Sequence, residues 1–156
     1  MKKYLVIAIC IIMMMLSGCN MNKTNGKDAT VGDKVEGGES VQNNEAMKLV
    51  KATNKSATVT IENNSPSVWQ SGNMKDYELQ ILKDGEWYKV EQIGEFANTM
   101  ELMGLHPGQK ITHTFEFEKR YGTLPSGRYR IVKRWWGSLT ANSEKGEIIT
   151  ACEFDV

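Results

Sequence analysis

From Ala57 onward the chain repeats one pattern, in which apolar and polar residues alternate over short runs until a cluster of turn formers interrupts them. A period of two sends successive side chains to opposite faces of an extended backbone, so these runs predict strands with one buried face. Ala57, Val59 and Ile61 alternate with Thr58, Thr60 and Glu62 and stop at Asn63-Asn64-Ser65-Pro66. Tyr77, Leu79 and Ile81 continue the pattern after Gly72-Asn73, and Asp84-Gly85 separates them from Glu86-Trp87-Tyr88-Lys89-Val90. Asp-Gly tolerates the positive φ angles of a two-residue hairpin turn, which predicts a hairpin there. Ile111, His113, Phe115 and Phe117 alternate after Pro107-Gly108, Arg128 to Trp135 follows Leu124-Pro125-Ser126-Gly127, and Ile148 to Val156 closes the series. Met47 to Ala52 fits a first strand. Only Phe96 to Met103 departs, because Phe96, Met100 and Met103 recur at helical spacing, which predicts one or two helical turns crossing between sheets. Short strands, frequent turns and no long helix predict an all-β domain over residues 46–156, a β-sandwich of about seven strands, with a barrel as its main rival.

The N-terminus reads differently. Met1-Lys2-Lys3 is positive, and Tyr4 to Leu16 is thirteen residues without a charge. A membrane-spanning helix needs about twenty apolar residues, so this run has the length of a signal-peptide core. Leu16-Ser17-Gly18-Cys19 resembles the bacterial lipobox, in which a Leu and two small residues precede a Cys that receives a diacylglyceryl group. The resemblance implies a lipoprotein signal peptide over 1–18, cleavage before Cys19, and attachment of the mature chain to a membrane through that thiol. The expected location is the outer face of the cytoplasmic membrane. Two acyl chains matter here, because each buried methylene contributes about 0.8 kcal/mol and a single chain holds only marginally. Residues 20–45 are rich in Asn, Gly, Lys and acids, with no aromatic residue and no apolar period. Such a segment predicts a flexible tether over 19–45, spanning about 28 Å on average if it behaves as a coil.

Composition narrows the function. The 156 residues hold 19 basic and 19 acidic side chains, and loss of Lys2 and Lys3 with the signal peptide leaves 17 against 19. A slightly negative domain argues against nucleic acid as a partner. Of the three cysteines, Cys10 leaves with the signal peptide and Cys19 is lipidated, so Cys152 stands alone and no intramolecular disulfide is expected. Cys152 shares the parity of Ile148, Thr150, Phe154 and Val156, which reads as a small buried hydrophobe.

Several stretches resemble the bacterial immunoglobulin-like domains carried by lipoproteins and surface proteins of Gram-positive bacteria. They are Asn63-Asn64-Ser65, Tyr77-Glu78-Leu79, Asp84 to Val90, Leu105-His106-Pro107-Gly108 and, most specifically, Tyr121 to Lys133 with its Leu-Pro-x-Gly-x-Tyr-Arg-Ile-x-Lys core. The likeness covers roughly Met47 to Val156 and implies an immunoglobulin-like sandwich in a cell-surface setting. In such sandwiches a Tyr early in the sixth strand bonds its hydroxyl to upstream backbone, two residues before a core position. Tyr129 and Ile131 fit those structural roles, with Gly127 allowing the corner, although no Cys pair is present. The resemblance does not assign the place of the buried core tryptophan, for which Trp87 is a candidate.

Parts for catalysis are missing. No His-Glu-x-x-His, Gly-x-Ser-x-Gly, phosphate loop or Cys-x-x-Cys occurs, so we expect no metal, no cofactor and no enzyme activity. His106 lies in a turn, His113 shares an inward parity, and Glu116 and Glu118 share one open face. The remaining candidate is a binding surface on Arg128, Arg130, Arg134, Trp135 and Trp136, leading into the polar loop from Ser138 to Glu147. Trp and Arg give large contact energies when desolvated, and loops at a sandwich end commonly carry recognition. Strand parity argues that Trp135 and Trp136 face opposite ways, one of them capping the core. The expected partner is an extracellular protein or a cell-wall ligand. A noncatalytic binding or scaffolding module comes first, with a protease inhibitor presenting its loops and a glycan binder using Trp135 and Trp136 as alternatives.

Overall fold

The alternation becomes ten strands in a computed structural model that describes residues 27–36, 44–94 and 101–156. They are β1 (Val31–Lys34), β2 (Met47–Ala52), β3 (Ser56–Glu62), β4 (Trp69–Ser71) and β5 (Glu78–Lys83). Then come β6 (Glu86–Val90), β7 (Met103–Leu105), β8 (Lys110–Glu116), β9 (Arg128–Gly137) and β10 (Gly146–Asp155), with one helical turn, α1 (Glu118–Tyr121), between β8 and β9. The Asp84-Gly85 hairpin forms as expected, with φ of 51° and 81°, the left-handed pair that lets two residues reverse a twisted ribbon. A three-stranded sheet ordered β2-β3-β8 faces a seven-stranded sheet ordered β1-β6-β5-β9-β4-β7, whose tenth-strand partner β10 runs along the other side of β9. The architecture is thus the all-β sandwich that the sequence predicts.

Inward parity fills the space between the sheets. Ala57, Val59 and Ile61 of β3 and Phe115 of β8 meet Leu79, Tyr129, Ile131, Trp135, Ile148, Cys152 and Phe154 from the larger sheet, all buried. Phe117 stacks on Phe154 at 5.6 Å, and Trp69 lies 6.1 Å from Trp135. Among the described residues the one cysteine, Cys152, is a free thiol, and this aromatic and branched core is what stabilises the fold; each large side chain fully buried contributes about 1.5–3 kcal/mol.

Two poles follow from the strand directions. At one, which we call the near pole, the β2–β3 turn holds the crossover from β8 to β9: Phe117 N–H donates to Lys55 O at 2.7 Å and Leu124 N–H to Asn54 O at 2.9 Å. Gly127 and Val156 exchange two backbone bonds there. The far pole carries the loops 63–68 and 138–145, joined by Ser67 Oγ donating to Ser138 O at 2.7 Å while Ser138 N–H donates to Ser67 Oγ at 2.9 Å.

Three expectations change. Residues 27–36 lie inside the expected tether of 19–45, yet they form β1 and its approach. Ala29 N–H donates to Thr123 O, Glu91 N–H to Thr30 O and Val35 N–H to Trp87 O, all within 3.0 Å. The segment looked structureless because its side chains are polar, but an edge strand is held by backbone pairing and needs few buried residues; here Val35 is buried. Secondly, Met103 belongs to β7, where Leu105 pairs with Trp69 and Met103 with Ser71, so helical spacing does not describe that end of Phe96–Met103. Residues 96–100 lie outside the described residues, as do 1–18, Cys19 and the rest of the tether up to 26 and over 37–43. Thirdly, the strands exceed the expected seven through β1, β4 and β7, each of three or four residues and too short to show a period.

Candidate binding surface

Strand β9 positions every residue of the candidate surface, and its pleat divides them. Tyr129, Ile131, Lys133 and Trp135 point between the sheets, whereas Arg128, Arg130, Val132, Arg134 and Trp136 lie on the outer face. Trp135 is therefore not a contact residue. It is 2% exposed, and its indole N–H donates to Thr150 Oγ1 at 3.1 Å, so the pair Trp135–Trp136 splits into one core residue and one surface residue. Trp136 is 54% exposed at the far pole. Register places it between Glu147 of β10 and Gln70 of β4, and Gln70 in turn faces Gly104 of β7. Gly104 has no side chain and Gln70 is exposed, so the floor beside the indole is open and polar.

The arginines are committed along the same face. Arg128 donates from Nε and Nη2 to Glu153 Oε2 at 2.9 and 2.7 Å, and Arg134 Nη1 pairs with Glu147 Oε2 at 3.2 Å. Arg130 is buried: its guanidinium lies 4.3 Å from the Trp87 ring centroid and its Nε donates to Gln80 Oε1 at 2.6 Å. Opposite charge beside Arg128 and Arg134 neutralises these two exposed arginines, which weakens the positive field that attracts phosphates. Trp87 is half-buried on this outer side, so it is not a core tryptophan; Trp69 and Trp135 are the tryptophans buried in the core.

The structural trio sits at the start of β9. Tyr129 is buried and its hydroxyl donates to Pro125 O at 2.8 Å, Ile131 is fully buried, and a side chain at Gly127 would meet Ile81 and the Tyr129 ring at 3.5 Å.

Sequence reasoning missed Lys133. It is fully buried on the inward face, its Nζ donating to Ser71 Oγ at 2.6 Å, Asn73 O at 3.1 Å and Asp76 O at 2.7 Å. Three acceptors match the three protons of an ammonium, so this lysine ties the β4–β5 loop to the core. Burial pushes its pKa down to about 8, a shift the nearby Asp76 carboxylate partly opposes. The signal was available, because Lys133 shares parity with Tyr129, Ile131 and Trp135.

The other titratable candidates stay quiet. Burial, helped by the Glu153 charge, pushes the Cys152 thiol up to about 11, so it is a thiol and not a nucleophile at neutral pH. His113 is half-buried against Phe115, its rings 4.8 Å apart, and burial and the Lys133 charge lower its pKa. His106 and Glu116 are exposed, and Glu118 is bound to Lys55 at 2.7 Å. Among the described residues no three His, Cys, Asp or Glu gather as a metal site, and no helix is long and apolar enough to cross a membrane.

With this geometry in place the comparison with known families is direct: the model of a family described as bacterial Ig-like domain matches residues 40–148. The chain belongs to that family. No curated protein and no solved structure matches it. Within this Ig-like domain, β2, β3 and β8 make one sheet and β10, β9, β5 and β6 the core of the other, with the Tyr129 corner where the crossover enters β9. Strand β1 precedes the matched residues and pairs with the edge strand β6. Membership supports a noncatalytic binding or scaffolding module.

Proposed function

We propose that the protein is a lipoprotein of the bacterial cell surface, held to the outer face of the cytoplasmic membrane through a diacylglyceryl group on Cys19. Its Ig-like domain binds an extracellular ligand at the far pole, and a cell-wall saccharide fits that surface best. The lipobox Leu16-Ser17-Gly18-Cys19 supports the anchor, and Trp136 carries the binding reading. A large indole 54% exposed on a well-paired strand, with the exposed amide of Gln70 as its register partner and the exposed hydroxyls of Thr140 and Ser143 in the loop that follows, offers a flat apolar face with neutral donors and acceptors nearby. Sugar rings present the complementary pattern, C–H faces with equatorial hydroxyls. Neutralised arginines on the same sheet favour an uncharged ligand over an anion.

Two measurements test the proposal. Trp136→Ala is expected to weaken binding to purified peptidoglycan at least tenfold, about 1.4 kcal/mol, without moving the urea midpoint, since an exposed side chain contributes little to folding. Binding that survives the substitution would remove this surface. Full-length Cys19→Ser protein is expected to leave the membrane fraction, and its retention there after complete processing would remove the anchor.

A further inference from the structure

The pairing of β1 changes how far the domain can stand from its anchor. Residues 27–36 are stitched to the fold at its near pole: Thr123 N–H donates to Lys27 O at 3.1 Å, Ala29 N–H returns to Thr123 O at 3.0 Å, and Asp28 bridges Thr123. Lys27 O also lies where a side chain at Gly122 would be, 2.1 Å from an ideal Cβ, so only glycine lets the two backbones approach. Chain between Cys19 and Lys27 is then limited to residues 20–26. Eight residue steps, even fully extended, reach at most about 29 Å. Without the stitch the 26 residues up to Glu45 would reach about 90 Å by the same arithmetic.

Geometry at the other end follows from β9. Trp136 stands eight residues along that strand from Arg128, about 27 Å at 3.4 Å per residue, and on the side away from the β2–β3 turn. At the near pole Lys55 pairs with Glu118 and Arg128 with Glu153, at 2.7 Å each, so these two cations are already engaged and are not free to grip anionic lipid.

We propose that β1 is a bridle: it shortens the link to the bilayer and turns the near pole toward the lipid headgroups, so that the Trp136 pole faces outward. This rests on Cys19 being the point of attachment. The bilayer is met as a surface at close range, and attachment comes from the anchor alone.

The test uses the mature chain, residues 19–156, coupled through the Cys19 thiol to a maleimide headgroup lipid in phosphatidylcholine nanodiscs containing a gadolinium-headgroup lipid. Coupling by chemistry separates the geometry from natural acylation, which the Cys19→Ser fractionation reads independently. Amide relaxation enhancement is measured at Ser126 and Lys55 on the near pole and at Asn142 and Ser143 on the far pole. We expect at least tenfold larger enhancement at the near pole, because the effect falls with the sixth power of distance. A second protein with twenty Gly-Ser residues inserted between Gly26 and Lys27 keeps the fold and lengthens the link, and its near-to-far ratio is expected to fall below threefold. Equal enhancement at both poles in the native-length chain, or a ratio unchanged by the insertion, would overturn the bridle.

Discussion

Lys133 gives the sharpest test of the core, because a fully buried amine makes stability depend on pH in a direction opposite to the usual alkaline loss. Its pKa is about 8 in the fold and 10.5 in an unfolded chain. Well below pH 8 both states hold the proton and Lys133 adds no pH dependence. Above pH 8 the unfolded chain binds more protons than the folded one, so unfolding free energy rises by about 1.4 kcal/mol per pH unit. Cys152 opposes this from pH 9, where an unfolded thiol ionises while the buried one, with a pKa of about 11, does not. Together the two groups give a net rise of about 1 kcal/mol between pH 7 and pH 9. A plateau follows, and above pH 10 stability falls steeply as Tyr77, Tyr121 and Tyr129, all raised by burial, hold protons that the unfolded chain loses. Urea unfolding at fixed ionic strength, read by tryptophan fluorescence at half-unit steps, measures the profile. In Lys133→Met, which keeps the volume and removes the charge, the rise from pH 7 to pH 9 should vanish. The reasoning is refuted if the native chain loses stability over that interval, or if Lys133→Met retains the rise.

Other substitutions probe separate features. Gly137→Ala should cost about 1–3 kcal/mol in urea unfolding with an unchanged m-value, because the new Cβ would sit 2.9 Å from Trp69 Cδ1 and 3.2 Å from Val68 O. A wild-type midpoint would mean that Trp69 can shift freely. Tyr129→Phe removes the hydroxyl bond to Pro125 O and should cost about 1 kcal/mol, with amide exchange quickening at Gly127 and Arg128. Starting the chain at Gln42 deletes β1 and bares the β6 edge. Calorimetry should show a melting point at least ~5 °C lower, and light scattering should show association through the opened edge. On the acid side the lowered His113 pKa means that the unfolded chain takes up a proton first, so stability should fall as pH drops below 6.5, and His113→Phe should lessen that fall.

Legibility followed the strength of the alternation. Ala57, Val59 and Ile61, or Phe115 and Phe117, declare a buried face because every second residue is apolar, and Asp84-Gly85 declares its turn by backbone chemistry alone. The same pleat that separated Trp135 from Trp136 was readable, but which of them faced inward depended on Tyr129 and Ile131 fixing the register. Strand β1 was hidden because it is made by backbone pairing against an edge contributed by the distant strand β6, where Val31 meets Val90 and Lys34 meets Tyr88. Lys133 was hidden by its residue type: a lysine suggests water, and only the Ser71, Asn73 and Asp76 acceptors, brought in by the β4–β5 loop, make its burial tolerable. Trp69 belongs to a strand of three residues and gains its role from Leu105, which no local pattern connects to it.

The reciprocal bonds between Ser67 and Ser138 bear on how this protein could diversify. They clamp the roots of both far-pole loops to each other, and Leu139 packs against the core just beyond, so the exposed tip from Thr140 onward is insulated from the sheets. Insertions or exchanges between Thr140 and Lys145 would then alter what the tip touches while the strands beneath it keep their alignment, allowing related chains to change specificity without renegotiating the scaffold.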